Sequence, residues 1–212
     1  MIKIEKTETY GWEAALRGMR NPKNSWHLGD TNWQLYYSSK DINRCIGPND
    51  FKLMKGLANA GSDHGKYLRM INVTADITCN QVWWAEFDTY KVGTVRNSCS
   101  KMHKIDSKPF SITDISHEGC AQVDYALEAL INTMKVCERL RCDFNSTGDK
   151  KYWRALIELL PEGYNMKATV QLNYAVLKNI YHARKNHKLD EWHDFCRWVE
   201  SLPYAKELIC GE

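Results

Sequence analysis

The stretch from about Gln122 to Cys142 constrains the fold more than any other part of the chain. Val123, Ala126, Leu127, Leu130, Met134 and Cys137 recur every three or four positions, which places them on one stripe of a long amphipathic helix. Such a stripe needs other elements to cover it, and the sequence supplies them. Asp149 opens a second helix that ends at Leu160-Pro161-Glu162-Gly163. Residues 171 to 185 and 189 to 201 read as two more, the last with Leu189, Trp192, Cys196, Val199 and Leu202 as its buried stripe. The C-terminal half is therefore helix-rich.

The first half mixes periods. Residues 2 to 7 alternate like a short strand, and a helix follows near Trp12 to Met19. Residues 21 to 49 are rich in Asn, Asp, Ser and Gly and read as an irregular loop region. Trp26, Trp33, Tyr36 and Tyr37 pin it to the body of the fold. After Pro48 a capped helix runs to about Ala60, with Phe51, Met54 and Leu57 on one side, and "AGSDHGK" breaks it. The alternation in "KYLRMINVT" predicts a strand, and a helix is expected from about Ala75 to Phe87. Residues 98 to 120 are mostly connection, with Lys108-Pro109 as a breaker. No internal repeat, low-complexity tract or linker stands out, so we expect one α+β domain over residues 1 to 212.

Composition narrows the class. A chain of 212 residues with 43% hydrophobic and 26% charged residues is ordinary for a globular protein. No stretch approaches the roughly 20 apolar residues of a membrane span, and the alternating N-terminus lacks a signal-peptide core, so a cytoplasmic protein without membrane contact is expected. The net charge of +3 comes from 29 basic and 26 acidic residues mixed along the chain, which provides no broad field for nucleic acid. A local anion pocket is compatible with it. The eight cysteines are scattered, and without a secretion signal they read as reduced thiols, mostly buried.

Two stretches carry polar groups in patterns that suit a ligand. In "QLNYAVLKNIYHAR" Asn173, Leu177, Ile180 and Arg184 share a helical face, and the polar ends lie about 16 Å apart. Either this seam holds an elongated ligand with a polar head, or Asn173 caps the helix and Arg184 solvates its C-terminal end. In the 75 to 87 helix, Ile77, Gln81, Trp84 and Asp88 fall on one face, followed by Thr89, Tyr90, Lys91, Thr94 and Arg96. Hydroxyls, an amide and a guanidinium together can hold a phosphate or a pyrimidine edge, and equally form a polar helix end. His117-Glu118-Gly119-Cys120 lacks a second ligand pair, so no metal site is expected. His182, His187 and His193 have no metal-ligand spacing. Cys99, near Arg96, could be an activated thiol, although inert thiols are commoner. No phosphate-binding glycine loop, dinucleotide fingerprint or nucleophile elbow is present.

Together the two stretches resemble the flavin-dependent thymidylate synthase family (ThyX). The family motif RQWxRHRxxSxNExSxR aligns without a gap on "NQVWWAEFDTYKVGTVR", from Asn80 to Arg96. The later LP segment and its NxRxLxxFLxLR helix align on "LPEGYNMKATVQLNYAVLKNIYHAR", from Leu160 to Arg184. The resemblance covers residues 50 to 205 in outline, with sharp matching confined to these two stretches. It implies a ThyX-like α+β fold with a small antiparallel sheet, a homotetramer, and reductive methylation of dUMP to dTMP with FAD, NADPH and methylenetetrahydrofolate. The alternative is a divergent homologue that has lost flavin chemistry and acts as a nucleotide-binding, anion-binding or structural protein.

By the same resemblance Gln81, Thr89, Thr94, Arg96 and Arg184 would hold dUMP, and Ser62, His64, Asn173, Asn179 and His187 would lie near FAD. The departures are equally specific. Trp84-Ala85-Glu86 stands where the family has Arg-His-Arg against FAD, and Lys91-Val92 replaces its Asn-Glu pair. Ala175 replaces the arginine of NxRxL. Ile157 replaces the arginine before LP, with Arg154 one turn earlier. An acid at 86 facing a flavin diphosphate would be repelled by about 1 kcal/mol even with strong solvent screening.

Overall fold

The computed structural model describes residues 1 to 211. Nine α-helices occur among them: α1 (Trp12–Arg20), α2 (Trp33–Ser39), α3 (Pro48–Asn59), α4 (Gln81–Phe87), α5 (Lys101–Lys104), α6 (Asp124–Thr147), α7 (Lys150–Leu159), α8 (Tyr174–Arg184) and α9 (Asp190–Glu200). Strands β1 (Lys3–Tyr10), β2 (Asn72–Asn80), β3 (Val95–Ser98) and β4 (Asn165–Asn173) form one antiparallel sheet in the order β1-β2-β4-β3. The α+β class and the helix-rich C-terminal half agree with the sequence reading.

The chain divides into two compact units. The first comprises Met1–Lys3, Ile77–Thr89 and Asn97–Thr169; the second comprises Ile4–Asp76, Tyr90–Arg96 and the chain from Val170 onward. In the first unit α6 and α7 form a helical pair over Ile105, Cys137 and Leu156, with Phe110, Leu140, Trp153, Ile157, Leu160 and Tyr164 packed around them. Ile157, which the resemblance aligns with a family arginine, is thus part of an apolar cluster. In the second unit Leu177 and Ile180 of α8 are buried, as are Trp192, Phe195 and Val199 of α9. Trp12 meets Tyr174 edge-on at 5.3 Å.

Several boundaries differ from expectation, most for one reason. Residues Val73, Ala75, Ile77 and Cys79 of β2 are buried and their neighbours partly exposed, a period of two that continues the alternation past Thr74. The strand therefore starts at Asn72 and reaches Asn80, and residues 65 to 70 wind as a 3-10 turn. The helix expected from Ala75 begins only at Gln81, so Ile77 does not share a helical face with Gln81 and Trp84. β4 repeats the arrangement: Met166, Ala168, Val170 and Leu172 are buried in alternation, and α8 starts at Tyr174.

No repeat was expected, yet both nine-residue strands begin and end with asparagine, and each final asparagine caps the next helix. Asn80 accepts from the Trp83 amide at 2.9 Å and Asn173 from the Val176 amide at 3.0 Å. The remaining differences are smaller. β1 runs on to Tyr10, α6 extends to Thr147, and β3 with the short α5 lies at the start of the expected connection.

The segment from 21 to 49 is less irregular than its composition suggests, because it contains α2 and three 3-10 turns. Asp30 reaches from it to the start of α3 and accepts the Asn49 and Asp50 amides at 2.8 and 2.9 Å. It thereby serves two of the N-terminal donors a helix cannot satisfy itself. Gly47 lets the carboxylate approach, since a Cβ there would sit 2.3 Å from Asp30 Cγ.

The cysteines form no disulfides among the described residues, and Cys45, Cys79, Cys137 and Cys196 are buried. No helix of the described residues is long and apolar enough to cross a membrane.

Candidate functional site

The second unit carries a groove of about 460 Å³ between the end of α3, the 3-10 turn at residues 65 to 70 and α8. This is within the size range of small-molecule sites. Gly61, at φ +99°, turns the chain away from α3, a left-handed conformation suited to glycine. Ala58, Leu68 and Ala175 supply apolar lining, and Ser62, Arg69, Lys178, Asn179 and His182 supply polar groups. Among the described residues no carboxylate lines the groove.

Lys178 and His182 are held by backbone carbonyls. Lys178 Nζ donates to the Ala58 carbonyl at 2.7 Å, near the end of α3 where carbonyls lack helical partners. Burial lowers the Lys178 pKa below the ordinary lysine value. His182 Nε2 lies 3.0 Å from the Ile209 carbonyl, which can only accept, so this nitrogen carries the proton and Nδ1 faces elsewhere. Ala175, Lys178, Asn179 and His182 follow a three-one-three spacing on α8. They form a stripe beside the buried Tyr174, Leu177 and Ile180.

Of the residues that the resemblance associates with FAD, Ser62 and Asn179 come together in this groove, while His64, Asn173 and His187 do not line it. His64 is exposed at the start of the 3-10 turn. Asn173 caps α8, and its Nδ2 lies against Gly93, which has φ +77° and would place a Cβ 3.0 Å from that atom. His187 Nδ1 accepts from the Leu189 amide at 3.2 Å and its ring meets Trp192 at 6.3 Å between centroids.

Asn173→Ala should destabilise the chain by about 1 kcal/mol, and Asn173→Asp should recover most of it because aspartate caps equally well. Denaturant titration reads both values. Full stability in Asn173→Ala would exclude the capping role.

The residues associated with dUMP fall in different units. Within the second, Arg184 Nε donates to the Tyr90 hydroxyl at 2.8 Å, and its guanidinium stands 4.8 Å from the Trp192 ring centroid and 5.5 Å from that of Tyr90. Thr94 Oγ1 is buried with no hydrogen-bond partner among the described residues, and Arg96 is half-buried on β3.

Within the first unit, Gln81 already has structural partners. Its Nε2 donates to the Pro161 carbonyl at 3.3 Å, its Oε1 accepts from Lys101 Nζ, and its backbone amide donates to the Glu162 carbonyl at 2.9 Å. Thr89 Oγ1 donates to the Glu86 carbonyl at 2.7 Å at the end of α4. Gln81 thus ties the start of α4 to Pro161 and Lys101, and Thr89 closes its end.

Trp84-Ala85-Glu86, which the resemblance aligns with the family's clamp, also lies in the first unit. Trp84 is buried, donates its indole N–H to the Met166 carbonyl at 3.0 Å, and meets Trp83 and Phe87 at 4.9 and 5.3 Å between ring centroids. Ala85 is exposed and Glu86 half-buried. Arg154, one turn before Ile157, pairs with Glu158 at 2.7 Å with its side chain 76% exposed.

The sequence reading did not assign Arg69, Lys178 or His182 to a site. The stripe on α8 is visible in the sequence, but Arg69 was placed on a strand, and only the 3-10 turn brings it to the groove.

Neither a protein-family model nor a curated protein matches the chain. Solved structures do share its fold. One is thymidylate synthase X (ThyX) from Helicobacter pylori with FAD and dUMP, at TM-score 0.68 and 15% identity over 99% of this chain and 97% of that one. Another is flavin-dependent thymidylate synthase ThyX from the same organism complexed with FAD and dUMP, at TM-score 0.67 and 16% identity over 98% and 97%. The chain has the ThyX fold, at an identity that fits wide divergence.

Proposed function

We propose that this chain is a nucleotide-binding protein on the ThyX scaffold, which holds a phosphate-bearing ligand in the groove of the second unit and does not methylate dUMP through a flavin. The observation that carries this reading is the groove itself. It combines Arg69, Lys178 and His182 with Ser62 and Asn179, has apolar lining for a ring, and among the described residues contains no acid. Charge-assisted hydrogen bonds from a guanidinium and an ammonium suit phosphate oxygens, and the His182 ring can add a second donor when protonated. The Ser62 hydroxyl and Asn179 amide can serve sugar or base.

The residues present do not fit FAD in the family's manner. Trp84 is committed to the interior, Ala85 offers no polar atom and Glu86 is an acid. An arginine clamp on a diphosphate cannot be assembled from them. The synthase reading keeps support from a fold match along nearly the whole chain to structures that hold FAD and dUMP. NADPH and methylenetetrahydrofolate would be co-substrates under that reading alone. A homotetramer in the cytoplasm belongs to the proposal under either reading.

Calorimetric titration of the purified chain with dUMP tests the groove. Lys178→Ala and Arg69→Ala are each expected to weaken binding about tenfold, the effect of one charge-assisted hydrogen bond. Affinity unchanged in both variants, or no binding by the parent chain, would remove the groove as a nucleotide site. The same preparation should be colourless and should not oxidise NADPH when FAD and dUMP are added. A yellow protein that consumes NADPH only with dUMP would establish the synthase instead.

A further inference from the structure

A second cavity lies in the same unit and shares no lining residue with the groove. It measures about 200 Å³ and is bordered by Glu13, Arg17 and Arg20 of α1, by Asp50, and by Trp26 and Trp33 of the aromatic segment. Arg20 and Asp50 are buried at 5% and 3% exposure and pair at 2.6 Å, so together they form a neutral floor. Charge recognition therefore falls to Glu13 and Arg17. These two stand four residues apart on α1, on one helical face.

The aromatic walls are held in place. Trp26 is 52% exposed, yet its indole N–H is fixed to Asn21 Oδ1 at 2.8 Å, which leaves its ring face for stacking. Trp33 packs edge-on against Tyr36 at 5.9 Å. The Tyr37 hydroxyl donates to Glu13 Oε2 and steadies that carboxylate.

The geometry points to a site for a purine ring, with guanine as its best complement. Guanine carries the acceptors N7 and O6 side by side, which an arginine fork engages with two donors. Its N1–H and N2 amino group follow on the adjacent edge, and both donate to a carboxylate. Adenine places an acceptor and an amino donor where guanine has a donor and an acceptor, so it cannot satisfy Glu13 and Arg17 together. Stacking on indole holds any base, and the two charged side chains choose among them. A cavity of about 200 Å³ takes the base and leaves sugar and phosphate outside.

Calorimetry of the full chain with guanosine, adenosine and uridine tests the site, because nucleosides lack the phosphate that the groove requires. Guanosine should bind at least about tenfold more tightly than the other two. Trp26→Ala should weaken guanosine about tenfold or more, which is within the range of one lost stacking contact. Glu13→Gln should abolish the preference over adenosine, and Lys178→Ala should change neither value. The site would be overturned by equal binding of all three nucleosides, by no guanosine binding at millimolar concentration, or by insensitivity to both Trp26→Ala and Glu13→Gln. Circular dichroism of Trp26→Ala and Glu13→Gln confirms that each is folded; should one of them not fold, the other decides the outcome. Since the groove is tested with dUMP and Lys178→Ala, the two proposals fail separately.

Discussion

Asp50→Ala should destabilise the chain by about 3–5 kcal/mol, the range for removing one partner of a buried ion pair. Asp50 accepts from Arg20 Nε at 2.7 Å, from the Asp30 and Thr31 amides at 3.1 and 3.0 Å, and from the Thr31 hydroxyl at 2.6 Å. Its loss strands the buried Arg20 charge and unties the segment before α3. Burial by itself would raise the Asp50 pKa. The hydrogen bonds from Thr31, Arg20 and the Asp30 amide, with the charge of Arg20, outweigh it and hold the carboxyl below its ordinary value of 3.8. A depressed carboxylate pKa contributes stability that is complete above the unfolded value and is lost as pH falls through the folded one. The parent chain should therefore lose this contribution below about pH 4, while Asp50→Ala should show a flatter acid limb. Denaturant unfolding at pH 7 and pH 3 measures both effects. Equal losses at the two pH values would refute the linkage.

Trp84→Arg, the substitution that would restore the first position of the family's flavin clamp, should instead unfold much of the first unit's packing. Removing a buried tryptophan costs about 3–5 kcal/mol, and an unpaired buried guanidinium adds a further penalty. The lost contacts are the edge-on rings of Trp83 and Phe87 and the hydrogen bond to Met166. Ala85→His, on an exposed neighbour, should change stability by less than about 0.5 kcal/mol. Urea midpoints distinguish the two. If Trp84→Arg were as stable as the parent and bound FAD, position 84 would still belong to a ligand face and the proposed loss of flavin chemistry would be wrong. The expected result means that the clamp has been replaced by core, so that no single substitution there recovers it.

Much of the architecture was legible because local periodicity carries it. The apolar repeat before Cys137 predicted α6, although the helix starts only at Asp124, Val123 is exposed and only Met134 and Cys137 of the stripe are buried. The stripe around Trp192 and Cys196 predicted α9. Where reading failed, a short strand met a short helix. Ala75 to Asn80 and Gln171 to Asn173 contain residues acceptable to either element, and sheet pairing decided for strand. The residues around Asn80 and Asn173 looked like sites because caps and ligand-binding groups use the same chemistry. An asparagine oxygen that accepts a backbone amide is indistinguishable, in sequence, from one that waits for a nucleotide. Gln81 shows the same ambiguity: the sequence offers an amide, and Pro161 and Lys101 take both ends of it.

The sequence by itself determined which segments are helices of one apolar stripe, and it carries two stretches that resemble the ThyX motifs. By that resemblance a tryptophan, an alanine and an acid align with the family's basic clamp. Those properties are local, set by residue type and spacing along the chain. Only the tertiary structure decided that Trp84 is interior, that Asp30 and Asp50 bind the aromatic segment to α3, and that Arg69 joins Lys178 and His182 in one groove. Each of these depends on groups distant in sequence meeting in space, where burial and hydrogen-bond partners, rather than spacing, decide what a side chain is free to do.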